Sequence, residues 1–267
     1  MKIDPSKIYM MPLIMGPIAD RGKLPSNVYG EVRYLSLQYQ TDSDAIQALL
    51  PDCYQPAEKP IVTVVFSYCD GVDFMAGGGY WIAAVLVAAR FDGDKDHVEG
   101  DYVLVMWEDD TFPIITGREL QGIPKFYADI SPVKTLPNGH LRCETSLWGH
   151  LLLGMDLEPL KKQNAIVRSV AAKRINERPL LGYKYIPSLD GSPDASYPTV
   201  LRSDTKLEEL WLGKSGQIFF GNAVEADIGV GKRIVDALKT LPVHQITQTA
   251  RFRGSQILRN DLCRRLR

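Results

Sequence analysis

The segment IVTVVFSYC, residues Ile61–Cys69, is rich in β-branched and aromatic residues, a composition typical of a β-strand. Four more segments share this composition: VRYLSLQYQ (Val32–Gln40), YWIAAVLVAARF (Tyr80–Phe91), DYVLVMWE (Asp101–Glu108) and GQIFFGNAV (Gly216–Val224). Turn signals separate them, without the regular alternation of strands and helices that is typical of a parallel α/β sheet. We therefore predict an antiparallel sheet that curls or closes to bury its strands.

Two helices are predicted beside these strands. TDSDAIQALLP begins with Asp42 or Ser43 as N-cap and ends at Pro51. GKRIVDALKTLP places apolar residues on one face and ends at Pro242. Both patterns indicate helices that lie against a sheet, so the predicted class is α+β. Because no repeat or low-complexity linker appears, we expect a single domain over residues 1–267.

Composition excludes several classes of protein. The formal charge of −1 and pI near 6.4 argue against a nucleic-acid-binding surface. No apolar run approaches the roughly 20 residues that span a bilayer, and the four cysteines form no CxxC pair. These features predict a cytoplasmic protein with reduced thiols. The arginine-rich tail, Arg259–Arg267, is interpreted as the solvated end of a C-terminal helix.

Several motifs resemble ligand sites but lack their defining residues. MAGGGYW has no GK[ST] and no following helix, so a tight turn is predicted instead of a phosphate loop. FDGDKDHVEGD has His97 where a calcium loop requires glycine, and is interpreted as an acidic hairpin loop. The four histidines are scattered and GxSxG is absent. We therefore predict no metal and no cofactor.

Lys125 stands out in the segment GRELQGIPKFYADI (Gly117–Ile130), because apolar residues surround it on both sides. Lysine is normally a surface residue. Burial among Ile123, Phe126 and Tyr127 would disfavour its charged form and favour the neutral amine, which is the form that attacks a ketone. The resulting protonated imine withdraws electrons, and its enamine can lose CO2 or attack an aldehyde.

The motif GRELxxxPK, which ends at Lys125, resembles the Schiff-base segment of acetoacetate decarboxylases. YQTDSDAIQALLP, YIPSLDGSP (Tyr185–Pro193) and ALKTLPVHQI resemble other segments of that family in the same order, over about residues 27–258. The resemblance implies a cone-like antiparallel β-barrel with flanking helices, assembled as a homo-oligomer. It also implies that Lys125 is the Schiff-base lysine.

The chain departs from the decarboxylase pattern around this lysine. Phe126 replaces a second lysine, and the two family glutamates fall on Val65 and Tyr80. The departures predict a pocket of neutral hydrogen-bonding groups in which Tyr80 and Gln121 orient an aldehyde oxygen or relay a proton. Ordinary structural hydrogen bonding is the alternative role for these two residues.

The family's substrate-orienting arginine falls on Val32, between Glu31 and Arg33. A slip of one residue turns a strand side chain to the opposite face, so which residue replaces that arginine depends on the register. We predict Arg33 as the carboxylate-binding residue, with Glu31 and Phe126 completing the substrate-binding set.

The leading functional hypothesis is an aldolase–dehydratase. Lys125 would condense with pyruvate or a similar 2-keto acid, and the enamine would add to an aldehyde before water is lost. The first alternative is decarboxylation of acetoacetate or another β-keto acid, with Phe126 supplying the desolvation. The second is a non-catalytic barrel that binds a small hydrophobic acid or pigment.

Overall fold

The computed structural model describes residues 1–267, and strands dominate it. The strands are β1 (Lys7–Ile8), β2 (Ala19–Asp20), β3 (Asn27–Gln40), β4 (Tyr54–Pro56), β5 (Ile61–Val72), β6 (Tyr80–Asp92), β7 (His97–Glu108), β8 (Lys125–Tyr127), β9 (Asp129–Ile130), β10 (Lys134–Thr135), β11 (Leu141–Leu147), β12 (His150–Leu157), β13 (Lys161–Lys162), β14 (Leu180–Pro187), β15 (Pro193–Leu201), β16 (Ser203–Gly213), β17 (Gly216–Phe220), β18 (Gln245–Leu258) and β19 (Arg264–Arg265). The α-helices are α1 (Ser43–Gln47), α2 (Thr111–Thr116), α3 (Ala165–Glu177), α4 (Glu225–Ile228) and α5 (Gly231–Lys239). None of them is long and apolar enough to cross a membrane.

A 12-stranded sheet forms the body of the molecule, in the order β13-β16-β18-β3-β5-β6-β7-β14-β15-β19, with β4 on β6 and β8 on β7. A second sheet of five strands has the order β10-β11-β12-β17, with β9 on β11. Most neighbours are antiparallel, but β7 pairs in parallel with both β8 and β14. No hydrogen-bonded ladder joins β13 to β19. The sequence predicted an antiparallel sheet that curls or closes, and the resemblance implied a cone-like barrel; the large sheet is instead mixed, and no closed barrel is found.

Side-chain alternation gives the central strands two different buried faces. One face carries Leu35, Phe66 and Trp107 into the main core, where helices α1 and α5 also pack. The opposite face carries two smaller apolar clusters, centred on Tyr80 and on Val65. We call it the Lys125 face, because continuous register from β3 through β5, β6 and β7 to β8 places Lys125 there.

The predicted elements agree with this architecture in most places. All five predicted strands and both predicted helices form, but β17 ends at Phe220, four residues before the predicted end, and α1 is shorter than its sequence pattern. The α+β class with flanking helices is confirmed. The predicted C-terminal helix is wrong, because the tail forms a short 3-10 turn followed by strand β19, and Leu266 is buried.

Candidate active site around Lys125

Lys125 is the first residue of β8 and is only 8% exposed. Its Nζ lies 2.7 Å from Oε1 of Glu108 and donates a hydrogen bond to the carbonyl oxygen of Pro113 at 3.0 Å. Strand β8 pairs with β7, where Met106 and Glu108 face the same side as Lys125. The fold therefore holds the amine below the surface, between a carboxylate and a backbone carbonyl.

The segment from Asp110 to Gly122 forms the wall of this site. Asp110 caps helix α2 by accepting a hydrogen bond from the backbone N–H of Phe112 at 2.8 Å. The helix continues into a π-helical turn over Gly117–Gln121, a wide turn that is frequent at functional sites. Gly122, with φ of +73°, ends that turn, because glycine enters the left-handed region without steric cost. The chain then re-enters the sheet as β8.

Gly117 lies directly against the Lys125 side chain. A Cβ atom at this position would be 2.4 Å from Lys125 Cε and 2.8 Å from Nζ. Its φ of −66° and ψ of −38° are ordinary helical values, so the backbone itself does not require glycine. The lysine side chain therefore occupies the space that any larger residue at position 117 would fill.

Glu108 is completely buried at the end of β7, and sequence reasoning missed its role. Burial raises the pKa of its carboxyl above the ordinary value, while the nearby charge of Lys125 opposes that rise. Apart from the contact with Lys125, neither carboxylate oxygen receives a hydrogen bond. The predicted pocket of purely neutral groups is therefore wrong: an acidic group lies beside the lysine.

Tyr80 lies on the same face, next to this acidic group. It pairs with Cys69 across β5 and β6, and Ile82, two residues further along β6, pairs with Glu108. Burial raises the pKa of the Tyr80 phenol well above its usual range, and the neighbouring Tyr29 and Glu108 add to the effect. Tyr80 therefore remains a neutral hydroxyl that can donate a hydrogen bond near the lysine.

Gln121, at the end of the π-helical turn, is engaged in structural hydrogen bonds. Its Nε2 donates to Oδ1 of Asn260 at 2.9 Å, and its backbone carbonyl accepts from Oγ1 of Thr199 at 3.1 Å. No hydrogen bond connects it to Lys125. The side-chain Oε1 is the part of Gln121 left to meet a substrate group.

The three predicted substrate-binding residues lie on the opposite face of the sheet from Lys125. Arg33 pairs with Tyr68 on β5 and Phe126 pairs with Trp107 on β7, and both pairings alternate with those of the Lys125 face. Arg33 is half exposed and forms an ion pair with Glu31 at 2.8 Å. The register therefore argues against Arg33 as the carboxylate-binding residue and against Glu31 as a substrate contact. Phe126 packs against the main core instead of covering the lysine.

The sequence did contain a signal for Glu108. It is the last residue of the apolar strand DYVLVMWE, where a buried face is expected. Glu108 lies two residues after Met106, so both side chains point to the same face of the strand. The missing information was the pairing of β7 with β8, a contact across a helix and a turn. No group of three or more His, Cys, Asp or Glu side chains comes together to hold a metal ion.

Comparison with known families and proteins agrees with the motif around Lys125. A family model described as acetoacetate decarboxylase matches residues 10–259. Acetoacetate decarboxylase from Clostridium acetobutylicum is 28% identical over 233 residues, which cover 84% of this chain and 83% of the relative. The residues matched by the family model include Lys125, Glu108, Tyr80 and Gln121.

Solved structures agree at the level of the fold. An acetoacetate decarboxylase has a TM-score of 0.77 at 20% identity, over 99% of this chain and 98% of the other. The enduracididine biosynthesis enzyme MppR, complexed with the condensation product of pyruvate and imidazole 4-carboxaldehyde, has a TM-score of 0.72 at 17% identity, over 99% and 98%. Identities this low establish a shared fold and nothing more about substrates.

Proposed function

Because this chain belongs to the acetoacetate decarboxylase family, we propose that it is a Schiff-base lyase in which Lys125 forms an imine with a small keto acid. The observation that carries the proposal is the buried amine of Lys125, fixed 2.7 Å from the carboxylate of Glu108. A solvated lysine would remain an ammonium ion at neutral pH, whereas a desolvated one beside a proton acceptor can become nucleophilic.

The protonated imine then serves as the electron sink, so the reaction calls for no cofactor. We propose pyruvate or a similar 2-keto acid as the imine-forming substrate and an aldehyde as its partner, joined by aldol addition and followed by loss of water. Tyr80 is the proposed donor to the aldehyde oxygen, since its hydroxyl stays protonated on the Lys125 face. Gln121 is a weaker participant, through its side-chain carbonyl oxygen, because its amide nitrogen is engaged with Asn260.

Two observations favour the aldol reaction. First, the chain departs from the decarboxylase pattern, because Phe126 replaces the second lysine. The Phe126 side chain lies on the face of the sheet opposite Lys125. The MppR complex with a pyruvate–aldehyde condensation product also demonstrates that this fold accommodates such a product in another protein. The second candidate is decarboxylation of a β-keto acid, which the names of the curated relatives favour.

Borohydride trapping followed by intact-protein mass measurement tests the proposal. Pyruvate and acetoacetate are supplied separately to the wild type, to Lys125→Ala and to Lys173→Ala, a control at a lysine whose side chain is 76% exposed on helix α3. We expect a reduced pyruvate adduct in the wild type and in the Lys173 variant, and complete loss of the adduct in Lys125→Ala.

The same samples separate the two reactions. Consumption of an aldehyde with formation of an ultraviolet-absorbing unsaturated keto acid supports the aldolase–dehydratase. Release of CO2 from acetoacetate, without aldehyde consumption, supports the decarboxylase. A pyruvate adduct that persists in Lys125→Ala contradicts the assignment of the lysine.

A further inference from the structure

We propose that Glu108 is the proton acceptor and donor that makes Lys125 a nucleophile; this inference rests on the function proposed above. Its Oε1 lies 2.7 Å from Nζ, and the side chain is fully buried. Apart from this contact, neither carboxylate oxygen receives a hydrogen bond, an unusual condition for a buried carboxyl that has only a structural role. A carboxylate held only to anchor a charge would be expected to collect such donors.

The proposed steps balance in protons and electrons. The proton first moves from the Lys125 ammonium to Oε1 of Glu108, which leaves a neutral amine and a neutral carboxylic acid. The nitrogen lone pair forms the N–C bond, the C=O π pair moves to oxygen, and proton exchange through Glu108 gives the carbinolamine. Glu108 then protonates the hydroxyl, which leaves as water with its bonding pair while nitrogen forms the C=N bond. The products are the protonated imine, water and the Glu108 carboxylate.

The surroundings of Glu108 favour this proton exchange. The titratable groups that face it are Lys125 on β8, Asp109 and Asp110 after β7, Tyr80 on β6, Cys69 on β5 and Tyr29 on β3. Lys125 is the only cation among them. Burial and the two aspartates favour the protonated form of Glu108, and burial keeps the thiol and both phenols neutral at pH 7.

The Glu108 carboxylate accounts for how Lys125 can lose its proton although Phe126 replaces the second lysine of the decarboxylase pattern. The decarboxylase pattern has a second lysine after the first, but this chain has Phe126 there, on the face of the sheet opposite Lys125. The buried carboxylate of Glu108 instead receives the proton of the Lys125 ammonium directly. Proton transfer from Lys125 to Glu108 converts two buried ions into two neutral groups, which a site of low dielectric constant favours.

The test measures the rate of borohydride-trapped pyruvate adduct from pH 5.5 to 9.5 in the wild type and in Glu108→Gln. Glutamine has the same size but does not accept the proton. We expect at least a tenfold lower rate in Glu108→Gln at pH 7 and a smaller difference from the wild type at pH 9.5, where hydroxide from solvent replaces the missing proton acceptor. Glu177→Gln, at an exposed position of helix α3, is the matched control and should follow the wild-type profile.

A Glu108→Gln variant that is not slowed would contradict the role of Glu108 in proton transfer. If Glu108 acted only as a counter-ion, its removal would release the amine from an attracting charge, and Glu108→Gln would label as fast as the wild type or faster. That result would overturn the inference while leaving Lys125 as the imine-forming residue. Absence of any adduct in the wild type would instead overturn the proposed function itself.

A second variant covers the case in which Glu108→Gln does not fold. Glu108→Asp keeps a carboxyl group at a longer distance from Nζ, and circular dichroism checks its fold. We expect a reduced rate with the wild-type pH profile, because the same kind of group still accepts the proton. A profile displaced to high pH in a folded Glu108→Asp variant would overturn the inference.

Discussion

Gly117 makes the position of Lys125 possible at the scale of a single residue. Its backbone angles suit any amino acid, so its role comes from the space it leaves free. A methyl group there would meet Cδ and Cε of Lys125 at 2.6 and 2.4 Å, well inside contact distance. The flexible lysine side chain would have to move, and the 2.7 Å contact with Glu108 would be lost with it.

We therefore expect Gly117→Ala to fold normally and to form the imine at least tenfold more slowly. Circular dichroism melting measures the first effect and borohydride trapping measures the second. Gly231→Ala is the control, because its Cβ would come no closer than 3.3 Å to a movable leucine side chain far from Lys125 in the sequence. Imine trapping at the wild-type rate in a folded Gly117→Ala variant would show that Lys125 does not need the space beside Gly117 to react.

At the scale of single residues, the sequence correctly indicated that Lys125 is buried, but it missed a partner that comes from another part of the chain. Lys125 was singled out by its apolar neighbours and by GRELxxxPK, and the structure buries it. Glu108 was passed over because it is 17 positions away and nothing in its own segment indicates a lysine. Arg33 was misplaced because the face of a strand side chain depends on register, which a single sequence does not determine.

At the scale of elements, helix α2 supports the site from its N-terminus. Asp110 caps the helix, and the carbonyl of Pro113 within the helix holds Nζ of Lys125. Loss of an N-cap side chain costs about 1 kcal/mol of unfolding free energy. Fraying at this end should therefore loosen the lysine as well as the helix.

Helix α3 supplies a matched comparison, because Asn164 caps it by accepting from the N–H of Val167 at 3.0 Å. We expect Asp110→Ala and Asn164→Ala each to lose about 1 kcal/mol in urea unfolding. Only Asp110→Ala should slow imine trapping clearly, and Asp110→Asn, which keeps the cap without the charge, should restore most of the rate, because the Asp110 charge is the smallest of the influences on Glu108. Equal trapping rates in both alanine variants would argue against support of the site by α2.

Helices α5 and α3 show how far element prediction from the sequence can go. Helix α5 was predicted because Val235 and Leu238 alternate with polar residues at helical spacing, and both are buried. Helix α3 was not predicted, although it is the longest, because it buries none of its residues fully and shows no clear apolar face. Periodicity reports burial, so a helix that lies loosely on a sheet leaves little trace in the sequence.

At the scale of the whole molecule, the large sheet remains open, and the end of the chain covers part of its edge. Strand β19 pairs with β15, and Arg264 forms an ion pair with Asp96 of the β6–β7 loop. Leu266 is 1% exposed and belongs to the main core. Assembly into a homo-oligomer stays a prediction, for which light scattering in solution is the direct measurement.

The buried position of Leu266 explains why interpreting the tail from its arginines alone was wrong. The arginines do lie at the surface, but the leucine between Arg265 and Arg267 fills core space that a solvated helix end would leave empty. Truncating a buried leucine to alanine typically costs about 2–5 kcal/mol, because transfer free energy and packing are both lost. Chain ends usually tolerate substitution, so a large loss of unfolding free energy here would reflect the packing of Leu266 in the main core.

We expect Leu266→Ala to reduce the free energy of unfolding by about 2–3 kcal/mol in urea titration, toward the lower end for a leucine near a chain end. Leu189→Ala is the control, because Leu189 is fully exposed and its truncation removes no buried contact. Imine trapping below the unfolding transition should be unchanged in both variants, since neither residue touches Lys125. A Leu266 variant as stable as the Leu189 variant would mean that the tail does not form part of the core in solution.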